Sequence, residues 1–140
     1  ELEIRKKLES VIFRFLTTNE IESFEPKVIN LVSVLDGIGK LIVNPTGNTS
    51  TDKLIEDSFT LLGINFENYK LEKASPNTSL LIGYRNDIIH FNSVRNYSHD
   101  KLRIEFKKAF IIARRLILSQ ICLDLIDFPF PNEGDNRIDW

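Results

Sequence analysis

Methionine is absent from all 140 residues, and cysteine occurs once, at Cys122. A single thiol excludes an internal disulfide framework and any cysteine-based zinc site. No apolar run approaches the roughly 20 residues that a membrane span needs, and no charged-then-apolar leader opens the chain. The expectation is a cytoplasmic protein without membrane contact. A chain that starts at Glu1 and holds no methionine reads as a piece of a longer polypeptide. The Asn-x-Ser sequons at Asn48, Asn77 and Asn96 carry little weight without a secretion signal. No internal repeat occurs, and no two segments alternate apolar and polar residues as paired strands would. A net charge of −2 excludes a generic nucleic-acid binder.

What is present is helical. The length suits one domain able to bury its own core, and 42% hydrophobic with 27% charged residues is an ordinary globular balance. Ile4, Leu8, Val11, Ile12 and Phe15 recur at three- and four-residue steps, predicting an amphipathic helix over 1–17. Pro26 suits the first turn of a second helix, where its missing N–H is no loss. Val28 to Leu35 is apolar almost all round, which places that helix in the middle of a bundle. Gly37 and Gly39 weaken it near its end.

Residues 44–50 form the clearest loop. A third helix is expected from about Asp52 to Leu62, capped by Ser50 or Thr51 and closed by Gly63. Residues 64–75 are mixed, with room for a short helical turn. Ser75-Pro76 reads as a cap and a helix-starting proline opening a fourth helix, after which 92–97 is a short polar link. Ser98 caps a long last helix. Leu102, Phe106, Ala109, Phe110, Ala113, Leu116, Ile117 and Ile121 mark one apolar face of it. Ile104, Ile111, Ile112, Leu118 and Leu125 add a second side, so this helix is either central or carries a subunit contact. Pro129 and Pro131 end it. The expectation is an all-α, up-and-down bundle of about five helices over 1–128, with an acidic tail or linker stub over 129–140.

Charge is uneven along this frame. Residues 1–83 hold nine basic and twelve acidic side chains, 84–118 hold eight and three, and 119–140 hold one and five. The positive excess of the middle segment makes Arg95, Lys101, Arg103, Lys107 and Lys108 candidates for tracking a phosphate backbone. A solvated helix face is the plainer explanation of the same residues.

The same segment contains Arg85-Asn86-Asp87-Ile88-Ile89-His90 inside an apolar helical run. A guanidinium holds a phosphate through two parallel hydrogen bonds, and histidine is the side chain that titrates near neutrality. Together they supply what RNA cleavage needs without a metal. Asn86 and His90, four apart, share a helix face. Arg85 and His90, five apart, are separated by about 140° around the axis. Arginine's reach, fraying at Phe91-Asn92, or a groove shared by two copies would have to close that gap. Read without function, Arg85 and Asp87 are solvated charges and His90 is a residue favoured at a helix C-terminus.

Other constellations say less. Asp87 and His90 would give a carboxylate-bridged metal one of the two ligand pairs it needs, and no second pair exists, so no metal or cofactor is expected. Ser98-His99-Asp100 lists triad residue types, but sequence neighbours cannot face one another as a triad must. Cys122 is a small core residue. Gly37-x-Gly39 lacks the strand and loop of a nucleotide fingerprint.

The run from Leu80 through His90 to Phe91 resembles the Arg-(Asn/His/Asp)-x-x-x-His signature of HEPN domains, and all six motif positions match. The helix order agrees loosely over most of 1–128. HEPN domains are small helical bundles that usually pair as homodimers and often act as metal-independent ribonucleases in bacterial defence, toxin and RNA-processing systems. The resemblance implies RNA as the partner, with further domains or a cognate regulator beside it. It implies His90 as the proton-transfer group, Arg85 as the stabiliser of phosphoryl charge and Asn86 as a hydrogen-bonding support. It further implies 2′,3′-cyclic phosphate products, with DNA spared for want of a 2′-OH. HEPN toxins paired with nucleotidyltransferase antitoxins carry a modifiable tyrosine two residues after the histidine. Here that residue is Asn92, so this mode of control is not expected. The alternative is a silent HEPN-like domain that binds RNA or nucleotide, or only dimerises, within a larger protein. A further alternative is an unrelated helical interaction module in which the motif is accidental.

Overall fold

The computed structural model describes residues 1–91 and 97–121. Five α-helices lie among them: α1 (Leu2–Thr17), α2 (Phe24–Val43), α3 (Thr51–Leu62), α4 (Leu80–Ile89) and α5 (His99–Gln120). Short 3₁₀ turns follow α1 (Thr18–Glu20) and α3 (Phe66–Tyr69), and a hairpin of β1 (Lys73–Ser75) and β2 (Thr78–Ser79) precedes α4. The architecture is an all-α bundle. None of the helices among the described residues is long and apolar enough to cross a membrane.

The all-round apolar character of α2 has its expected consequence. Val28, Leu31, Val32, Val34, Leu35 and Ile38 are all completely buried, and α2 touches each of the other four helices. Its close crossing with α3 depends on Gly39, where a Cβ would stand only 2.8 Å from Leu54 Cβ. Local signals set the helix ends. Ser50 Oγ accepts from Lys53 N at α3, and Gly63 ends that helix at φ 70, a conformation open to glycine at little cost. Ser98 Oγ accepts from Lys101 N at α5.

The last helix is central. Leu102, Phe106, Ala109, Ala113, Leu116 and Ile117 are buried as the first face predicts, and Ile112 from the second side is buried with them. Ile104 remains 42% exposed. Phe110 stacks on Phe15 of α1 with ring centroids 4.6 Å apart. Leu125, Cys122, the terminal prolines and the acidic tail lie outside the described residues.

One expectation fails. Ser75-Pro76 does not open a helix; Ser75 ends β1, Pro76 and Asn77 form the turn, and β2 runs into α4 with Ser79 as its N-cap. The fixed φ of proline suits the second position of a β-turn as well as a helix start, so the dipeptide is locally ambiguous. Strands of three and two residues are too short to show a period of two.

Candidate active site

The motif helix is fastened at its start by groups from elsewhere in the chain. Ser79 N donates to Asp52 Oδ2 of α3 at 3.0 Å, and Leu80 N donates to Glu72 O at 2.8 Å. Two of the unpaired amides at the head of α4 are thereby satisfied. Lys73 of β1 adds a 3.5 Å ion pair to the same, largely buried Asp52. Leu81, Ile82 and Tyr84 then anchor the helix in the core.

Arg85 turns inward and is half-buried. Its Nε is buried without a hydrogen-bond partner. Burial lowers the guanidinium's pKa, and the carboxylates of Asp36 on α2 and Asp52 on α3 oppose that shift. Arginine remains charged regardless, because its ordinary value is so high. Asp36 is itself engaged, accepting from Thr51 Oγ1 at 3.1 Å and pairing with Lys40 Nζ at 2.7 Å. The motif's cation therefore feels the charge of two carboxylates, and it forms an ion pair with neither.

His90 lies at the other end. It is the C-cap of α4, with φ −89° and ψ 6°, and its side chain is exposed. Its N–H donates to Asn86 O at 3.0 Å, while the Asn86 side chain is half-buried above it. No hydrogen bond or ion pair among the described residues joins Arg85 to His90. The helix keeps them on different sides, as a five-residue step dictates. Both chain neighbours of His90 are exposed apolar side chains, Ile89 at 41% and Phe91 at 96%. Phe91 also adopts a left-handed φ of 55°, which is uncommon for a bulky side chain.

Asp87, between the motif's ends, is neither a solvated charge nor one of a metal-binding group. It is buried and accepts from Tyr97 Oη at 2.8 Å. The Tyr97 ring packs edge-on against Tyr84 at 5.2 Å. No cluster of three or more histidine, cysteine, aspartate or glutamate side chains able to hold a metal occurs among the described residues.

The basic residues following the motif are distributed along α5, except Arg95, which lies outside the described residues. Lys101 pairs with Glu72 at 3.1 Å, and Lys108 with the buried Glu105 at 3.3 Å. Arg103 and Lys107 are exposed. Asp36, Asp52 and Tyr97 were not legible as parts of the site. They join it only through packing, and no spacing in the sequence signals them.

Searches against protein-family models, curated proteins and solved structures found no match to this chain. The class that the fold defines is an all-α helical bundle, with a half-buried arginine and an exposed terminal histidine on one short helix.

Proposed function

We propose that this chain is a HEPN-like, metal-independent endoribonuclease domain that works as a homodimer. The observation that carries the reading is the state of the motif on α4. Arg85 keeps its charge in a partly desolvated setting with no partner on Nε, and His90 stands exposed one turn past Asn86. His90 takes the proton from a ribose 2′-OH, O2′ bonds to phosphorus, the P–O5′ bond breaks, and the 5′ oxygen takes up a proton from solvent water. Such proton transfer contributes about 10²- to 10⁴-fold. Arg85 stabilises charge growing on the non-bridging oxygens, where a fixed donor acts most strongly. The apolar, strained Phe91 and its neighbour Ile89 supply a surface for a second copy. Dimerisation would bring one subunit's His90 within reach of the other's motif helix.

The second reading, a silent domain that binds RNA or nucleotide or only dimerises, is favoured by the charges of Asp36 and Asp52 acting on Arg85 while no hydrogen bond or ion pair among the described residues joins it to His90. One experiment separates the two. Purified protein in excess chelator is given single-stranded RNA and DNA of the same sequence. The enzyme cleaves only the RNA, leaves cyclic phosphate ends and loses this activity on His90→Ala. Cleavage that survives His90→Ala, or that needs a divalent metal, rules out the mechanism.

A further inference from the structure

A groove of about 690 Å³ runs between α1 and α2. Its walls carry Lys7, Arg14 and Lys40 against the single carboxylate of Asp36, in a chain whose net charge is −2. Within it α1 and α2 approach so closely that a Cβ on Gly37 would meet Val11 Cγ2 at 3.0 Å. Arg14 is set in place. Its Nη1 donates to Ser33 Oγ across the groove at 2.9 Å, and its carbonyl accepts from Asn30 Nδ2 at 3.0 Å and Thr18 Oγ1 at 2.9 Å. Among the described residues Arg14 has no ion pair, so the rest of its guanidinium fork is available to an anion. Among the described residues Lys7 and Lys40 pair only with acids one turn away, Glu3 at 3.3 Å and Asp36 at 2.7 Å. Both lysines are exposed, and water screens such pairs enough for a phosphate to displace them.

We infer that this α1–α2 groove is a binding track for the phosphate backbone of single-stranded RNA; the choice of RNA rests on the proposed function above. Lys7 and Arg14 are two helical turns apart, about 10.5 Å along α1. They therefore contact different phosphates of an extended strand rather than converging on one. The groove is open to solvent along its length, and none of its lining residues is aromatic. A base has no ring to stack on, so the site reads charge and not sequence. The face of α5 suits the role less well at Lys108, which is held by the buried carboxylate of Glu105.

The test is fluorescence anisotropy of a labelled 2′-O-methyl oligoribonucleotide, which cannot be cleaved, with the full chain over a range of salt concentrations. Lys7→Ala combined with Arg14→Ala weakens binding at least about tenfold and reduces the log–log salt slope by about 1.4, since each single-strand contact contributes about 0.7. Lys7→Ala alone gives about half that change in slope, and it guards against any folding defect from the loss of the Arg14–Ser33 bond. Arg103→Ala on α5 weakens binding less than Lys7→Ala does. The inference is overturned if the wild type does not bind the oligonucleotide, if the groove variants bind like the wild type, or if Arg103→Ala weakens binding as much. Absence of cleavage on unmodified RNA, with groove-dependent binding intact, would remove the nuclease reading and leave this track standing.

Discussion

Tyr97 Oη donates a 2.8 Å hydrogen bond to Oδ2 of the buried Asp87, fastening the approach to α5 onto the motif helix. A hydrogen bond to a charged acceptor stabilises by about 1.5–3 kcal/mol. Tyr97→Phe should lower unfolding free energy by that order in urea titrations. Asp87→Asn keeps an acceptor and should cost less than Asp87→Ala. If Tyr97→Phe matches the wild type, this bond has no structural role.

Arg85 tests the phosphate-holding role. Under single-turnover conditions with chelator present, Arg85→Ala should slow RNA cleavage by about 10²- to 10³-fold, the loss seen when one fixed transition-state donor is removed. Arg85→Lys should not restore the rate, because an ammonium lacks the planar fork. Rescue by lysine would mean that only charge matters at this position.

Phe91 links strain to association. Glycine adopts a φ of 55° at less cost than phenylalanine, so Phe91→Gly should stabilise the isolated subunit by about 1 kcal/mol. It also removes the exposed ring and should shift sedimentation towards monomer. A dimer of unchanged affinity would place the subunit contact elsewhere.

Asp52 ties three elements together through Ser79 N at 3.0 Å and Lys73 Nζ at 3.5 Å. Asp52→Ala should cost about 1–2 kcal/mol, comparable to the loss of a helix cap, read as a shift in denaturation midpoint. Asp52→Asn should cost less, since it still accepts from Ser79 N.

Tyr84 predicts the alkaline limit of stability. Burial, and then the nearby Glu25 carboxylate, raise its phenol above the ordinary value of 10.0. The folded state therefore holds this proton more tightly than the unfolded state. The associated stability is fully present below pH 10.0 and is lost as pH rises through the higher folded value. Tyr84→Phe should flatten the decline in stability above pH 10.0.

The sequence by itself determined the helices. Apolar spacing and chain-local caps, Ser50, Gly63 and Ser98, act within a turn of the residues they specify, so α1, α2, α3 and the start of α5 were readable from neighbours alone. The same locality made the motif legible and showed that a five-residue step turns Arg85 and His90 apart. It failed at Ser75-Pro76, where proline's fixed φ is compatible with both a helix start and a turn, and only docking of the hairpin ahead of α4 selects between them. Tertiary structure alone decided the electrostatics of the site. Arg85 feels the charges of Asp36 and Asp52, Asp87 is buried under Tyr97, Lys101 is paired with Glu72, and Lys7 and Arg14 line a groove with Lys40. Each of these depends on which distant segments exclude water from a given charge, and no local pattern encodes that.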